Sequence, residues 1–496
     1  MENNTDGAFQ LNLFTGSEIQ NPNKKIPSVL PWIIVSKESP YFITDQGKDW
    51  HPIGQNDAIN WLDLAGLFRR RNLASVESYL RMLSENGVTC LRLMLEYCQT
   101  EHRYLERPAG NFQPNMIRLW DDLFALCEKH GLRILLTPYD TYWMWIRWRQ
   151  HPYNKKNGGL CNKRSHWLFC PEMRNLIKNR LAFASERWGG SGVIFGWDLW
   201  NEIHPRHAVN SAEVFYEFIE DVGGFLRKKE IQFHGRAHLQ TVSIFGPDIN
   251  KHHSITQCIF RHRALDFANT HIYEKGAIDD PKNTVDVAIS VGRILREQIA
   301  EIMDSRPFFD SEHGPIHAFK DKHITLTEPF DDEYFRHFQW AHFASGGAGG
   351  GMRWANRNPH TLTTGMREAQ RNLARFFSLI DWKRFNRKNL NEEIVLSNPA
   401  FKCFGCGDKE QAVIWVLRTD KTGKNGMLLK NAEPVDLTIK IPGLQKGHYR
   451  VIAFYTSGEN KARELEISPE RAEYLSISLP PIVTDLAIAV RLLQAL

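Results

Sequence analysis

Two hydrophobic patterns alternate along the middle of the chain. Stretches with apolar residues at helical spacing end in glycine, as residues 75–86 do before Gly87 and residues 114–130 before Gly131. Each is followed at once by a short apolar run, such as VTCLRLML at 88–95. A helix closed by glycine and followed directly by a buried strand is typical of β/α units. The chain therefore predicts a parallel sheet whose outer face is covered by helices.

Such units repeat between residues 51 and 380. The predicted strands are 51–56, 88–95, 132–137, 193–200, 239–244, 267–271, 307–310 and 349–353. The predicted helices are 75–86, 114–130, 171–188, 212–229, 252–263, 284–304, 331–345 and 364–380. Eight strands are the number that closes a (β/α)8 TIM barrel. A hairpin within residues 32–44 is predicted to cover the bottom of the barrel.

The pattern changes after Asp381, where short strands separated by turn residues replace the helical spacing. Strands are predicted at 412–417, 435–441, 449–454, 474–479 and 486–492, which together indicate an antiparallel β-sandwich. The predicted fold is therefore α/β, with an N-terminal arm (1–30), a (β/α)8 barrel (31–385) and a C-terminal β-sandwich accessory domain (386–496).

Two predicted barrel strands end in an acidic residue. The fourth leads into Trp200-Asn201-Glu202, and the seventh continues into Glu312 within FFDSEHG. The carboxyl ends of barrel strands meet at one face, where the chemistry of TIM barrels takes place. A single glutamate after a strand is usually a solvated loop residue, but two at one face are the equipment of a glycosidase.

Composition argues against several other functions. The net charge of +5 is spread over 496 residues and basic residues form no run longer than three, so we expect no nucleic-acid partner. No stretch has the length of a transmembrane helix, so we expect no membrane partner. The N-terminus lacks a basic segment followed by an apolar one. We expect a cytoplasmic protein, or a secreted one if a signal was removed.

Cysteine usage predicts neither a metal nor a cofactor. The eight cysteines are scattered, as buried thiols would be. Cys403 and Cys406 have the spacing of a metal half-site, but the chain has no second such pair. The 15 tryptophans fit a carbohydrate site, because sugars stack on indole rings, although tryptophan also fills cores.

The chain resembles the clan A retaining glycoside hydrolases, and most closely the cellulase-like glycoside hydrolase family 5, over about residues 30–380. The matching positions, in the order expected from that family, are Arg92, Asn201, Glu202, His271, Tyr273, Glu312 and Trp354. The third strand departs from the family, because it ends in TPYD at 137–140 instead of a motif with histidine. The resemblance implies that Glu202 is the general acid and base and that Glu312 is the nucleophile.

The resemblance also implies supporting roles. Arg92 would keep Glu312 ionised and the Tyr273 hydroxyl would orient it. Arg92 lies inside an apolar strand, where it needs an acidic partner, and Glu96, Asp140 or Asp198 could serve instead.

Three further matches would act on the sugar. Asn201 would form a hydrogen bond to the 2-hydroxyl of the sugar. His271 would contact the substrate or act on Glu202. Trp354 would be the floor on which the scissile sugar stacks. The alternative is that His271 and Trp354 are ordinary core residues.

The segment 139–170 is a long loop at the mouth of the predicted barrel. It contains Trp143, Trp145 and Trp148, which we expect to line sugar subsites. The alternative is that they pack on the barrel. In a helix Trp145 and Trp148 would share a face, whereas in an extended chain Trp143 would pair with Trp145.

The sequence thus predicts a retaining glycoside hydrolase that binds an oligo- or polysaccharide, cleaves β-1,4-linked glucan or mannan by double displacement, and needs no cofactor. The alternatives are an exo-acting β-mannosidase or β-glucosidase of the same clan, or a catalytically silent carbohydrate-binding barrel. The sandwich is expected to stabilise the barrel.

Overall fold

The computed structural model describes residues 30–96, 103–168, 170–204, 211–249, 253–316, 325–355, 360–458, 462–467 and 474–495. The predicted arm lies outside the described residues, apart from Leu30. An antiparallel hairpin of β1 (Ile33–Val35) and β2 (Phe42–Thr44) comes first. Phe42 packs edge-on against Phe195 and Phe267, at 4.9 and 5.4 Å between ring centroids. The hairpin therefore covers the N-terminal end of the barrel strands.

A parallel sheet forms the barrel. Its strands are β3 (Gly54–Asn56), β4 (Cys90–Met94), β5 (Arg133–Thr137), β6 (Ile194–Asp198), β7 (Leu239–Thr241), β8 (Ser243–Phe245), β9 (Ala268–Ile272), β10 (Phe308–His313) and β11 (Met352–Arg353). Their spatial order is β7-β6-β5-β4-β3-β11-β10-β9-β8. β7 and β8 are the two halves of the predicted fifth strand, which is interrupted at Val242. The first half pairs with β6 and the second with β9, so this divided strand closes the barrel.

Helices surround the sheet where the periodicity predicts them. They are α1 (Leu73–Glu85), α2 (Pro114–Lys129), α4 (Pro171–Trp188), α5 (Ala212–His234), α7 (His253–Phe260), α8 (Thr284–Ala300), α9 (Glu328–Ala344) and α10 (Thr364–Phe377). Shorter helices lie in the connections: α3 (Thr141–Ile146), α6 (Gly246–Ile249) and two 3-10 helices (Ala65–Arg70 and Lys155–Asn157). α5 continues past its predicted end at 229 and stops where Gly235 adopts φ 74°.

Glycines before β11 permit close packing under the barrel mouth. A Cβ atom on Gly349 would lie 2.3 Å from the Pro52 carbonyl oxygen, and one on Gly350 would lie 2.7 Å from Leu373. Gly351 has φ 76°, which strains any other residue. The predicted strand at 349–353 is therefore reduced to Met352–Arg353.

Two antiparallel sheets form the C-terminal part. The first has six strands, β12 (Lys388–Asn389), β14 (Phe401–Gly407), β15 (Gln411–Arg418), β17 (Gly447–Phe454), β18 (Ala462–Ile467) and β20 (Asp485–Ala495). The second has three, β13 (Val395–Leu396), β16 (Val435–Pro442) and β19 (Tyr474–Ile482). The predicted sandwich is confirmed, but the five predicted strands omitted β12, β13, β14 and β18.

Glycine and cysteine in FKCFGCG concealed β14 from the sequence prediction. Cys403 belongs to the core between the two sheets, whereas Cys406 belongs to the core shared with the barrel. The two thiols thus face opposite sides of one strand and do not converge on a metal.

The six-stranded sheet packs against barrel helix α9. His337 and Trp340 of that helix contact Trp415 and Phe454 of the sheet, at 5.5 and 6.2 Å between ring centroids. A buried ion pair lies within this apolar contact, since Arg336 donates to Asp485 at 2.6 Å. Trp415 donates its indole N–H to the other oxygen of that carboxylate at 3.0 Å. The sheet and the helix therefore share one core.

Among the described helices, none is both long and apolar enough to cross a lipid bilayer.

Removing the buried Asp485 carboxylate should separate the sheet from the barrel. Asp485→Ala removes the carboxylate closest to the buried Arg336 and leaves Glu333 at 4.0 Å, so we expect the free energy of unfolding to fall by about 3–5 kcal/mol. Urea unfolding followed by tryptophan fluorescence measures this loss. Asp436→Ala, at an exposed position on β16, is the control and should change it by less than about 0.5 kcal/mol.

The same pair predicts a pH dependence. Burial alone raises the pKa of Asp485, but Arg336, His337 and the Thr456 hydroxyl together hold that pKa well below its usual value. A lowered carboxyl pKa stabilises the fold at neutral pH, and this contribution is lost as the pH falls below the unfolded-state pKa of about 4. The difference between wild type and Asp485→Ala should therefore shrink in acid. An equal effect from the Asp436 control would contradict this account.

Candidate active site

Glu202 lies just beyond the C-terminal end of β6. Its φ of 48° is left-handed, which is uncommon for a residue with a side chain. Two contacts hold this conformation. The Glu202 N–H donates to the Ser243 hydroxyl at 3.0 Å, and the Thr141 hydroxyl donates to the Glu202 carbonyl at 2.8 Å. A fixed strained backbone aims the side chain into the barrel mouth.

Glu312 is placed by an irregularity in β10. The register against β9 shifts between Asp310 and Glu312, so Ser311 is the extra residue of a bulge. Ser311 and Glu312, although consecutive, both reach the site: Ser311 contacts His271, and Glu312 contacts Arg92 and Tyr273. A regular strand would send these two side chains to opposite faces.

Arg92 of β4 is completely buried at the centre of this site. Its Nη1 donates to Glu312 Oε2 at 2.8 Å and to Asn56 Oδ1 at 2.9 Å. Its Nη2 donates to Asp198 Oδ2 at 2.8 Å and to Asn201 Oδ1 at 2.5 Å. The sequence left several acidic partners of Arg92 open, and in the structure Arg92 contacts both Glu312 and Asp198.

The two glutamates face each other across His271. His271 Nδ1 lies 2.8 Å from Glu202 Oε1 and 3.7 Å from Glu312 Oε2, and its Nε2 lies 3.1 Å from the Ser311 hydroxyl. One carboxylate oxygen of Glu202 and one of Glu312 lie within 4.8 Å of each other. The Tyr273 hydroxyl donates to the other oxygen of Glu312 at 2.9 Å.

Burial sets the protonation of these groups. It lowers the pKa of His271 to about 4, so the ring is neutral at neutral pH. When Glu202 is ionised, its carboxylate can only accept, so Nδ1 carries the hydrogen and the Ser311 hydroxyl donates to Nε2. Burial and the nearby Glu202 charge raise the pKa of Glu312, whereas Arg92 and the Tyr273 hydroxyl oppose that rise. The resemblance had implied only the lowering effect of Arg92.

Asn201 is held by a residue that the family resemblance does not supply. Its side-chain N–H donates to Asp140 Oδ1 at 2.6 Å, and its side-chain oxygen accepts from Arg92. Asp140 stands at the third strand end, where the sequence departs from the family. It also accepts the Tyr142 N–H at 2.8 Å. Burial and the Glu96 charge raise the pKa of Asp140 well above its usual value.

Sequence reasoning missed Asn56, Ser311 and the bond between Asp140 and Asn201, whereas it had named Asp198 as one possible partner of Arg92. Asn56 also donates to the carbonyl oxygens of Ser311 and Met352, at 2.9 and 3.1 Å. The available signal was their position, because Asn56 and Asp198 are the last residues of β3 and β6. A polar residue closing a buried barrel strand marks the same face as the glutamates.

Trp354 follows β11 and is partly exposed, as a sugar platform would be. Its backbone N–H donates to the His313 carbonyl oxygen at 2.8 Å. It packs in a small apolar cluster with Trp61, Met94 and Trp143, and the Trp61 ring meets it edge-on at 5.2 Å between centroids. Trp143 is therefore a buried support of Trp354, and the sequence analysis did not single out Trp61.

Trp145 and Trp148 do not join this cluster. α3 ends at Ile146, so Trp145 and Trp148 do not share one helix face. Arg164 covers Trp145, with its guanidinium 3.3 Å from the ring centroid. Trp148 packs on the main core and stacks on His151 at 5.7 Å. Both indoles are engaged by the loop itself.

Glu202, His271 and Glu312 are also the only described residues whose ligand atoms could converge on a metal ion. Arg92 already places a positive charge 2.8 Å from Glu312. Two carboxyl groups at this spacing could exchange protons with a bound molecule or attack it as nucleophiles.

No family model matches the chain, and no curated protein matches its sequence. Solved structures share its fold at low sequence identity. A glycoside hydrolase family 5 structure from Bacteroides vulgatus ATCC 8482 is similar over 93% of this chain and 93% of its own, with a TM-score of 0.58 and 11% identity. The endo-β-1,4-mannanase from Thermotoga petrophila is similar over 85% of this chain and 98% of its own, with a TM-score of 0.50 and 12% identity.

A third similar structure is the exo-β-1,4-mannosidase from Opitutaceae bacterium strain TAV5. It covers 69% of this chain and 62% of its own, with a TM-score of 0.50 and 15% identity. The fold of this chain is therefore the fold of glycoside hydrolases of clan A. The resemblance drawn from the sequence motifs is confirmed at the level of the fold.

The buried position of His271 predicts its titration. We expect its imidazole to remain neutral until the pH falls to about 4, because burial disfavours the charged ring. NMR of the protein labelled at histidine measures this value, and a His271→Gln variant assigns the resonance. Titration near 6.5, the ordinary value, would contradict the geometry of the site.

Proposed function

We propose that the chain is a retaining glycoside hydrolase that cleaves a β-1,4-linked glucan or mannan. The observation that carries the proposal is the pairing of Glu202 and Glu312, with one oxygen of each carboxylate within 4.8 Å of the other. Retaining glycosidases hold their carboxyl groups about 5–5.5 Å apart, whereas inverting enzymes leave about 6.5–9.5 Å for a water molecule. The short separation supports double displacement.

In the first step Glu312 attacks the anomeric carbon and the bond to the leaving oxygen breaks. Glu202 gives its proton to that oxygen, so the leaving group departs as a neutral alcohol. In the second step Glu202, now ionised, takes a proton from water. The water oxygen attacks the same carbon and releases Glu312, which restores both carboxyl groups.

The surrounding contacts fit these two roles. Arg92 and Tyr273 each bond one oxygen of Glu312, which fixes the carboxylate for attack and stabilises its ionised form. Of the two glutamates, only Glu202 lies within hydrogen-bond distance of His271, whose neutral ring can donate to the ionised carboxylate of Glu202 in the second step. The two carboxyl groups therefore have different environments, as an acid and a nucleophile require.

Substrate binding is proposed for Asn201 and Trp354. Asp140 and Arg92 fix both ends of the Asn201 amide, which would bond the 2-hydroxyl of the sugar. The partly exposed Trp354 ring, supported by Trp61 and Trp143, would stack under the scissile sugar. Two of the similar structures are named as a mannanase and a mannosidase, which supports a mannan among the candidate substrates. Products released from manno- and gluco-oligosaccharides distinguish endo from exo action.

Loss of the proposed nucleophile should be rescued by a small anion. Glu312→Ala is expected to lower kcat by several orders of magnitude while the protein stays folded. Azide should restore cleavage of an activated aryl glycoside and yield a glycosyl azide of inverted configuration, which NMR identifies. Glu202→Ala is the matched control, because azide there attacks the glycosyl-enzyme and gives the retained configuration. Turnover like wild type in Glu312→Ala would remove Glu312 from the mechanism.

Loss of the proposed acid should depend on the leaving group. Glu202→Gln is expected to slow substrates with poor leaving groups far more than those with good ones, because only the former need protonation. Steady-state kinetics with a series of aryl glycosides measures the difference. For wild type we expect a bell-shaped pH profile whose two limbs belong to the coupled pair. Equal losses across the series would show that Glu202 is not the acid.

A further inference from the structure

The loop between β5 and α4 has an unusual charge composition. Residues 141–170 contain six lysines and arginines and no aspartate or glutamate. These six positive charges exceed the net charge of +5 of the whole chain. Five of the six are exposed, namely Arg147, Arg149, Lys155, Lys156 and Lys163. None of the five forms an ion pair with a carboxylate of the described residues, so their charge faces solvent.

This cationic loop starts beside the paired glutamates. The Thr141 hydroxyl donates to the carbonyl oxygens of both Asn201 and Glu202, at 2.9 and 2.8 Å. Trp143 belongs to the cluster that supports Trp354, and the Arg147 guanidinium lies 5.7 Å from the Trp143 ring centroid. The first cation of the loop, Arg147, therefore lies beside the aromatic cluster that supports the proposed sugar platform.

A buried polar network holds the base of the loop in place. Arg180 of α4 bonds both Glu106 and Glu96, and all three residues are buried. His151 of the loop lies 2.9 Å from Glu96, and its Nδ1 accepts the Tyr153 N–H at 3.2 Å. The buried carboxylates of Glu96 and Glu106 are thus paired with Arg180 and do not neutralise the exposed cations of the loop.

We propose that the exposed lysines and arginines of residues 141–168 form a cationic rim that binds polysaccharide chains bearing carboxylate or sulfate groups, so that the preferred substrate is a β-1,4-linked glucan or mannan that carries such acidic groups. The part of this proposal that concerns cleavage rests on the proposed glycosidase function, whereas the part that concerns binding does not. An extended polyanion crossing the rim gains attraction at each cation, and clustered charge of one sign raises the local concentration of an oppositely charged ligand.

Binding to matched polymers tests the rim directly. Carboxymethyl cellulose and hydroxyethyl cellulose share a backbone and differ in charge, and dextran sulfate against dextran provides the sulfate arm. Affinity electrophoresis of the full chain should show retardation by one or both charged polymers and little by the neutral ones. The affinity should fall about tenfold between 20 and 300 mM NaCl, because salt screens exposed charges. Equal retardation by charged and neutral polymers would overturn the proposal.

Charge-matched variants locate the surface. Arg147→Gln/Arg149→Gln should weaken binding to the charged polymer about tenfold, and so should Lys155→Gln/Lys156→Gln to a smaller extent. The control Lys402→Gln/Lys440→Gln removes the same charge from exposed positions of the C-terminal sheets and should leave binding unchanged. Melting temperatures like wild type exclude unfolding as the cause. An equal loss in the control would show that only the net charge matters, and would overturn the rim.

Two further outcomes distinguish the cationic rim from a nucleic-acid surface and from the proposed glycosidase function. Single-stranded DNA that binds as tightly as the acidic glycan at equal charge would show a nucleic-acid surface and overturn the glycan assignment. Retardation by the charged polymers in a protein that cleaves no glycoside would refute the glycosidase function and leave the rim intact. For an active enzyme, kcat/KM on carboxymethylated oligosaccharides should fall with salt and with the Arg147 and Arg149 changes. The kcat/KM on neutral oligosaccharides should not change with salt or in Lys155→Gln/Lys156→Gln.

Discussion

A buried guanidinium organises the mouth of this barrel. Arg92 lies on a strand that is buried at every position, and a charge in such a place needs several bonded partners to be tolerated. The partners come from three other strands or their ends: Asn56, Asp198 with Asn201, and Glu312. Each of these polar groups is fixed because the charge must be compensated. The same bonds that stabilise the barrel therefore pre-orient the carboxylate that would attack a substrate.

The remaining geometry depends on two local departures from regular structure. The bulge at Ser311 turns two consecutive side chains of β10 into the site, and the left-handed φ of Glu202 turns its carboxylate toward His271. Neither departure is intrinsically favourable. Ser243 and Thr141, from neighbouring segments, bond the backbone of Glu202 and compensate for its strain. The site is thus held by the barrel's closure, including the divided fifth strand to which Ser243 belongs.

Structure outside the barrel stabilises this arrangement from two sides. The C-terminal sheet shares a core with α9 and contributes the buried Asp485 partner of Arg336. The connection after β5 is held from below by Glu96, Glu106 and Arg180, and it carries an Asp140 that bonds Asn201. At this strand end the family resemblance implies a motif that contains histidine. The end of the third strand is therefore where the polar contacts of this chain differ from those that the family resemblance implies. The loop that follows it is the one rich in lysine and arginine.

The sequence by itself determined the architecture and the chemical candidates. Periodicity and glycine stops located the barrel helices and strands, because a β/α unit repeats one local pattern eight times. Strand-end position singled out Glu202 and Glu312. What the sequence left open was decided by contacts between residues far apart in the chain. Arg92 had three possible acidic partners besides Glu312, and only the closed barrel places Asp198 beside it.

Tertiary structure alone also decided which residues the tryptophan side chains contact. Their local spacing could not show that α3 stops at Ile146, that Arg164 covers Trp145, or that Trp61 and Trp143 meet at Trp354. The bulge in β10 is equally invisible in FFDSEHG, because its extra residue is defined only by register against β9. Local patterns record which segments are buried and which end in polar groups. The direction of each side chain depends on neighbouring strands and loops that the local sequence does not contain.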